Sequence, residues 1–460
     1  MESPSIHSRS WARCRLHDFV LRGGMLSLIA VSALAASPLS VPFERYTLPS
    51  GMTVILHEDH ARPTVTVNLW YGVGSADEKA GRTGFAHLFE HLMFMGTKNV
   101  PNGSFDTLME QVGGANNAST DYDYTNYYEF GPSNLLETFL WLEADRLAHL
   151  PDDMTKAKVD LQRDVVKNER RQRNENQPYG VVELLVDEKM FPAGHPYAHT
   201  IIGSHKDLTA ASVDDVKAFF KKFYVPANAS LVIAGDFKSE DAKKLVEKTL
   251  GALPRVEAPA RVSLPSVELT RPVRASAEDR VQEAQVSFFY LAPAANTPGS
   301  AEAQVLAMLL GGSQTSRLVK HLVVEQQLCE SVEANYEKRR GQSLFPITAT
   351  AQGGHSAAEI EKALEKELAA LFASPPTAAE VSRVQARLQT HLLQMMETPF
   401  GVADALNEAQ QLVGDPGDVE RNLLARYDVV TPSGVLEQAR RMLTPNRLTV
   451  VITPKKGGAK

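Results

Sequence analysis

The chain has 460 residues, 43% of them hydrophobic and 22% charged, which is the make-up of a globular protein with ample core and room for more than one domain. A net charge of −7 without a long basic run excludes nucleic acid as the main partner. Two cysteines, one of them (Cys14) inside the N-terminal segment, leave Cys329 alone, so neither an internal disulfide nor a thiolate metal cluster is open to the rest of the chain.

In chain order, arginines at 9, 13, 15 and 22 precede the apolar run MLSLIAVSALAA (25–36), which ends in small residues. This predicts a signal peptide over 1–36, with Ala33-Leu34-Ala35 as cleavage site and a periplasmic or secreted destination. An uncleaved anchor is the alternative; the run is short for a bilayer, and the mature chain is expected to hold no membrane span. Strands are predicted at 52–59 and 63–75, rich in β-branched residues, then helices at 83–95 and 103–112. The segment GGANNASTDYDYTNYYEF (113–130) predicts two strands entered through glycines, and helices follow at about 133–149, 154–173 and 178–188. A strand at 227–237 closes the first half, and the Pro-rich stretch 253–272, with neither periodicity, predicts a linker.

The second half then repeats the first. VNLWYGVG (67–74) parallels VSFFYLAP (286–293), QPYGVVELL (177–185) parallels TPFGVADAL (398–406), and FYVPANASLVIAGD (223–236) parallels RMLTPNRLTVVITP (441–454). Three collinear matches at an offset of about 220 residues predict two related α+β domains, 41–252 and 273–455.

The chemistry concentrates in HLFEH (87–91). At helical spacing His87 and His91 lie on one face, a turn apart, and their imidazoles can converge on one ion. Glu90 sits beside them, placed to take a proton from a water held by that ion. Two buried histidines and a buried carboxylate without such a partner are costly. Two histidines leave a catalytic zinc one protein ligand short, so another helix must supply it.

Seventy-eight residues after His91, Glu169 lies in the helical segment QRDVVKNERRQRNENQPYG. With H-x-x-E-H and this downstream glutamate, the mature chain (41–455) resembles the pitrilysin/insulinase family of zinc metallopeptidases, the inverzincins, in its short two-domain branch similar to the mitochondrial processing peptidase. The resemblance implies an α+β fold of two homologous domains, each a mostly antiparallel sheet packed with helices and together forming half of a clam-shell. It implies one zinc ion per chain, bound by His87, His91 and Glu169, with Glu90 as general base, and Glu175 as the next candidate ligand. The family often has a carboxylate seven residues before the ligand glutamate; Gln162 stands there, a neutral amide expected to orient a ligand less strongly. The resemblance also implies that Asn117 and Ala118, on a strand at the edge of a sheet, contact substrate backbone.

In the second half His87, Glu90 and His91 map near Leu306, Leu309 and Leu310, so no metal site is expected there. The family's substrate-binding arginine and tyrosine, seven residues apart, fall on about Val323 and Glu330, and Tyr336, Arg339 and Arg340 nearby stand in the wrong order. The expectation is a dimer, with a related chain supplying that pair, acting on peptides or unfolded segments. The alternatives are a peptidase for one precursor and a non-catalytic subunit of a peptidase-like complex; manganese or cobalt could replace zinc on such ligands. The basic run KNERRQR (167–173), Glu169 apart, is expected to be a solvated helix face.

Overall fold

A computed structural model describes residues 40–455, and the expected signal segment, 1–36, lies outside them. The first half contains strands β1 (Glu44–Thr47), β2 (Thr53–Glu58), β3 (Thr64–Tyr71), β4 (Ala115–Thr120), β5 (Thr125–Pro132) and β6 (Ala229–Gly235). Its helices are α1 (Phe85–Leu92), α2 (Ser104–Val112), α3 (Leu136–His149), α4 (Lys156–Arg170), α5 (Val181–Met190), α6 (His205–Ala210), α7 (Val213–Phe223) and α8 (Ser239–Leu250). The second half contains β7 (Val273–Asp279), β8 (Gln285–Ala292), β9 (Cys329–Ala334), β10 (Ser343–Ala351) and β11 (Leu448–Pro454). Among its helices are α9 (Ser300–Gly311), α10 (Ala357–Ala373), α11 (Ala378–Met395), α12 (Pro399–Leu412), α13 (Asp418–Asn422), α14 (Ala425–Asp428) and α15 (Pro432–Met442).

The repeat in the sequence is a repeat in topology. One sheet runs β1-β2-β6-β3-β5-β4 and the other β7-β11-β8-β10-β9. Each has one parallel pairing, β2 with β6 and β7 with β11, and is otherwise antiparallel. The fold is α+β with two related sheet-and-helix units, as the sequence predicts. In the first half, α7 opens on a capping box between Ser212 and Asp215, the first and last residues of SVDD, in a stretch where no helix is predicted from the sequence.

The units are not packed side by side as independent bodies. The described residues, 40–455, fall in one compact unit, because each half lends a helix to the other's sheet. First-half α5 lies on the second sheet, where Val186 and Met190 join Phe289, Leu344, Leu448, Val450 and Ile452 in one buried cluster. Second-half α12 lies on the first sheet, with Val402, Ala403 and Leu406 against Ile55, Val232 and Ala234. The lent helices are the ones that begin in QPYGVVELL and TPFGVADAL. Both faces of each sheet are thereby covered, which explains strands such as β6, buried at every residue.

The stretch 253–272 carries no helix or strand, yet it is packed into this seam. Arg261 donates to Asp123 O (2.9 Å) and to Gln411 Oε1 (3.0 Å), and Val262 and Leu264 pack on the cluster around Phe289.

Candidate active site

Helix α1, FAHLFEHL, divides cleanly by face. Phe85, Leu88, Phe89 and Leu92, at helical spacing, are buried in the main core of the first half. His87, Glu90 and His91 occupy the opposite side, where α4 and β4 pack against the helix.

Glu169, in the last turn of α4, reaches this face. His91 Nε2 stands 3.2 Å and His87 Nε2 3.7 Å from Glu169 Oε2. One ligand atom from each residue lies within 4.8 Å of the others, the one such group of histidine, cysteine and carboxylate side chains among the described residues. Those separations bracket the roughly 3.3 Å edge of a tetrahedron with arms of about 2.0–2.1 Å, the zinc–nitrogen distance. Two imidazole nitrogens and one carboxylate oxygen are the donor set of a catalytic zinc that keeps a position free, so the residues present fit the ion.

Electrostatics agree with that role. Burial first, and then the neighbouring His91, hold the His87 imidazole down at about 4, so it stays neutral, the form that binds metal. Burial pulls the Glu169 carboxyl upward, but the hydrogen bond to His91 and the charges of His87 and Arg173 outweigh it and leave the group below its usual range. Burial raises the Glu90 carboxyl, which favours proton uptake. Glu90 Oε2 accepts from Thr120 Oγ1 at 2.6 Å, which leaves its other oxygen for a proton.

β4 is the terminal strand of its sheet and pairs only with β5. Its residues Asn117–Thr120 line one cavity of about 450 Å³ with His87, Glu90, His91 and Glu169. Asn117 is exposed and Ala118 half-buried there.

Gln162 takes another direction. Its amide lies 2.7 Å from Met95 Sδ, and no hydrogen bond joins it to either histidine among the described residues. Glu175 is also elsewhere, paired with Arg170 (3.0 Å) and His205 (2.8 Å). The basic run is only partly a solvated face: Arg173 is largely exposed but pairs with Glu169 Oε1 at 2.7 Å, and Arg170 donates to Gly203 O. Arg173 follows Glu169 by one helical turn, so that spacing could have revealed it. It lies in a π-helical turn, Arg171–Glu175, a deviation frequent at functional sites. Thr120 could not have been found so, since only the fold carries β4 to α1.

In the second half α9 takes the place of α1, and Leu306, Leu309 and Leu310 are all buried. Tyr336 donates to Pro293 O (2.9 Å), Arg339 pairs with Asp187 (3.0 Å), and Arg340 Nε lies 3.3 Å from Asp123 Oδ1. All three are spent inside the chain.

Two family models match the chain: residues 53–203 match the model described as insulinase (peptidase family M16), and residues 210–388 match that of the peptidase M16 inactive domain. Zinc protease PqqE of Helicobacter pylori is 29% identical over 371 residues, which cover 78% of this chain and 81% of that protein. The mitochondrial-processing peptidase subunit beta of Blastocladiella emersonii is 23% identical over 445 residues, 93% of this chain and 92% of that protein. The crystal structure of a protease from Helicobacter pylori superposes with a TM-score of 0.85 at 25% identity, covering 90% of this chain and all of that one. With both halves matched in order and the inverted histidine–glutamate motif in place, the chain belongs to the insulinase family, peptidase family M16.

Proposed function

We propose that the chain is a zinc-dependent endopeptidase acting on peptides or unfolded polypeptide segments. The observation that carries this reading is the convergence of His87, His91 and Glu169 beside Glu90, in a cavity bordered by a free strand edge. His87, His91 and Glu169 hold one ion, which when bound supplies a Lewis acid that polarises a carbonyl and makes water easier to deprotonate. Glu90 takes the proton from the attacking water and returns it to the leaving amine, while Thr120 fixes its other oxygen. A substrate strand adds to β4 by main-chain hydrogen bonds, with Asn117 and Ala118 at the contact, so little side-chain sequence is read.

The chain works with a related partner in this reading. Tyr336, Arg339 and Arg340 are engaged internally, which supports a substrate-binding arginine and tyrosine coming from a second chain. The domains run 41–252 and 273–455 around the packed linker 253–272. Residues 1–36 direct export to the periplasm; among the described residues no helix is long and apolar enough to cross a membrane.

The test is metal analysis with a quenched-peptide assay of parent and Glu90→Gln, with and without the related chain. The expected result is one zinc in both proteins and a loss of turnover of about 10²–10⁴-fold in the variant. Unchanged turnover in Glu90→Gln overturns the assignment of Glu90, and full activity of the chain alone overturns the need for a partner.

A further inference from the structure

Ligand histidines usually donate their second ring N–H to a carboxylate or carbonyl that fixes the ring. Here His87 Nδ1 is buried and has no hydrogen-bond partner among the described residues, and Gln162 is turned to Met95. The position of the imidazoles therefore depends on where the backbone of α1 is held.

α1 does not hold its own start. Its N-cap residue is Gly84, at φ +86 and without a capping side chain, although the first N–H groups of a helix need acceptors. Glu78, six residues upstream, supplies them: its Oε2 accepts from Gly84 N at 2.8 Å and its Oε1 from Ala86 N at 2.7 Å. The Glu78 side chain is 0% exposed, and no step of the peptidase chemistry uses it.

The same helix start rests on a second turn. Gly203, at φ +71, meets Gly84 backbone to backbone; a Cβ on Gly203 would lie 2.4 Å from Gly84 N, and one on Gly84 would lie 2.7 Å from Ile202 O. Asp207 Oδ2 accepts from Thr83 N (3.1 Å) and Thr83 Oγ1 (2.7 Å), and Ser204 N donates to Thr83 Oγ1 (3.1 Å). On its other side the turn receives Arg170, the neighbour of Glu169, at Gly203 O. One short segment thus touches the start of the helix that bears two ligands and the end of the helix that bears the third.

We infer that Glu78 and the Gly203 turn are positioning residues, a clamp that sets α1 against α4 and holds the three ligand atoms at ion-binding separation before an ion arrives. This rests on the reading of the site as a divalent-metal site. Glu78→Gln keeps the shape but turns an amide N–H₂ toward a backbone N–H, and Gly203→Ala drives the two backbones apart.

The experiment measures zinc affinity by competition with a chromophoric chelator, together with melting temperature and amide exchange of metal-free protein. Proteins compared are the parent, Glu78→Gln, Glu78→Asp, Gly203→Ala, the milder Thr83→Ala, and Leu306→Ala as a destabilised control remote from the site. Glu78→Gln and Gly203→Ala are expected to bind zinc roughly 10–100-fold more weakly. Thr83→Ala loses a few-fold, Glu78→Asp recovers part of the loss, and Leu306→Ala melts lower while keeping parental affinity. In metal-free Glu78→Gln the Gly84 and Ala86 amides exchange at least about tenfold faster than in the parent.

Parental affinity in both Glu78→Gln and Gly203→Ala overturns the clamp, as does an equal affinity loss in Leu306→Ala at matched melting. If those two variants do not fold, parental affinity in Thr83→Ala overturns it. A parent chain that binds no zinc overturns the functional reading instead, and the amide exchange then decides the clamp: unchanged exchange rejects it.

Discussion

Helices α1 and α9 occupy corresponding places, each against a terminal strand and helices of its own half, β4 with α4 and α7 for the first and β9 with α11, α14 and α15 for the second. α1 carries a polar stripe that opens on a cavity, whereas α9 presents Leu306, Leu309 and Leu310 to packed neighbours, all three buried. The same frame therefore accepts either an amphipathic or an apolar helix at this place. The candidate metal site is an elaboration of the frame, and the first half bears its cost in three ionisable groups that apolar packing would not require.

The strongest way to break the comparison is to write the first motif into the second half. Leu306→His, Leu309→Glu and Leu310→His together are expected to add no second zinc to the one proposed for the first half, because all three positions are buried against packed neighbours. Each lost leucine costs about 2–5 kcal/mol and each new polar group adds desolvation, so the triple variant should fail to fold cooperatively in a denaturant titration. A folded triple variant that binds one more zinc than the parent would mean that the frame itself makes the site.

The next largest effect lies where α12 crosses the first sheet. Burial lifts the Asp404 carboxyl to about 6; its Oδ1 accepts from Asn68 Nδ2 at 3.3 Å. A carboxyl raised in the folded state contributes stability that is complete below the unfolded value near 4 and is lost as pH rises through about 6. At about 1.4 kcal/mol per pH unit the loss is at most about 3 kcal/mol. Asp404→Asn should therefore be more stable than the parent at pH 7 by up to that amount, with the gain vanishing near pH 4. A difference that does not change between pH 4 and 7 in paired unfolding curves would remove Asp404 as its source.

A smaller effect separates the two lent helices. α5 meets the strands of the second sheet through an apolar cluster, its buried Asp187 pairing with Arg339 outside them, while α12 adds a polar knot on the strands themselves: Asn407 Nδ2 donates to Asn68 O and Oδ1, both at 2.9 Å, and Ser230 Oγ donates to Asn407 Oδ1 at 2.7 Å. Asn407→Ala strands these buried groups and should cost about 1–3 kcal/mol. Val186→Ala in α5 is the matching change on the other sheet. If Asn407→Ala leaves the denaturation midpoint unchanged, the knot is not what holds α12.

Much of the candidate site was legible in the sequence because helical spacing is a local property. His87, Glu90 and His91 declare one face of α1 through a 3.6-residue period, and Glu169 followed from the family resemblance at its motif position. The internal repeat likewise gave two related α+β units. Less legible were groups whose role comes from distant partners. Gln162 has the right position along its helix, yet its amide goes to Met95. Arg170 and Arg173 read as a solvated face, yet one braces a turn and the other holds the ligand carboxylate.

By itself, then, the sequence determined most first-half strands and helices, the duplication and the polar stripe on α1, the elements and the stripe being products of residue type and short-range period. Only the tertiary structure decided that each half lends a helix to the other's sheet, that β4 ends its sheet beside Glu90, and that Glu78 caps α1. Those outcomes depend on which apolar faces and unpaired backbone groups meet across long stretches of chain, and no local pattern specifies that meeting.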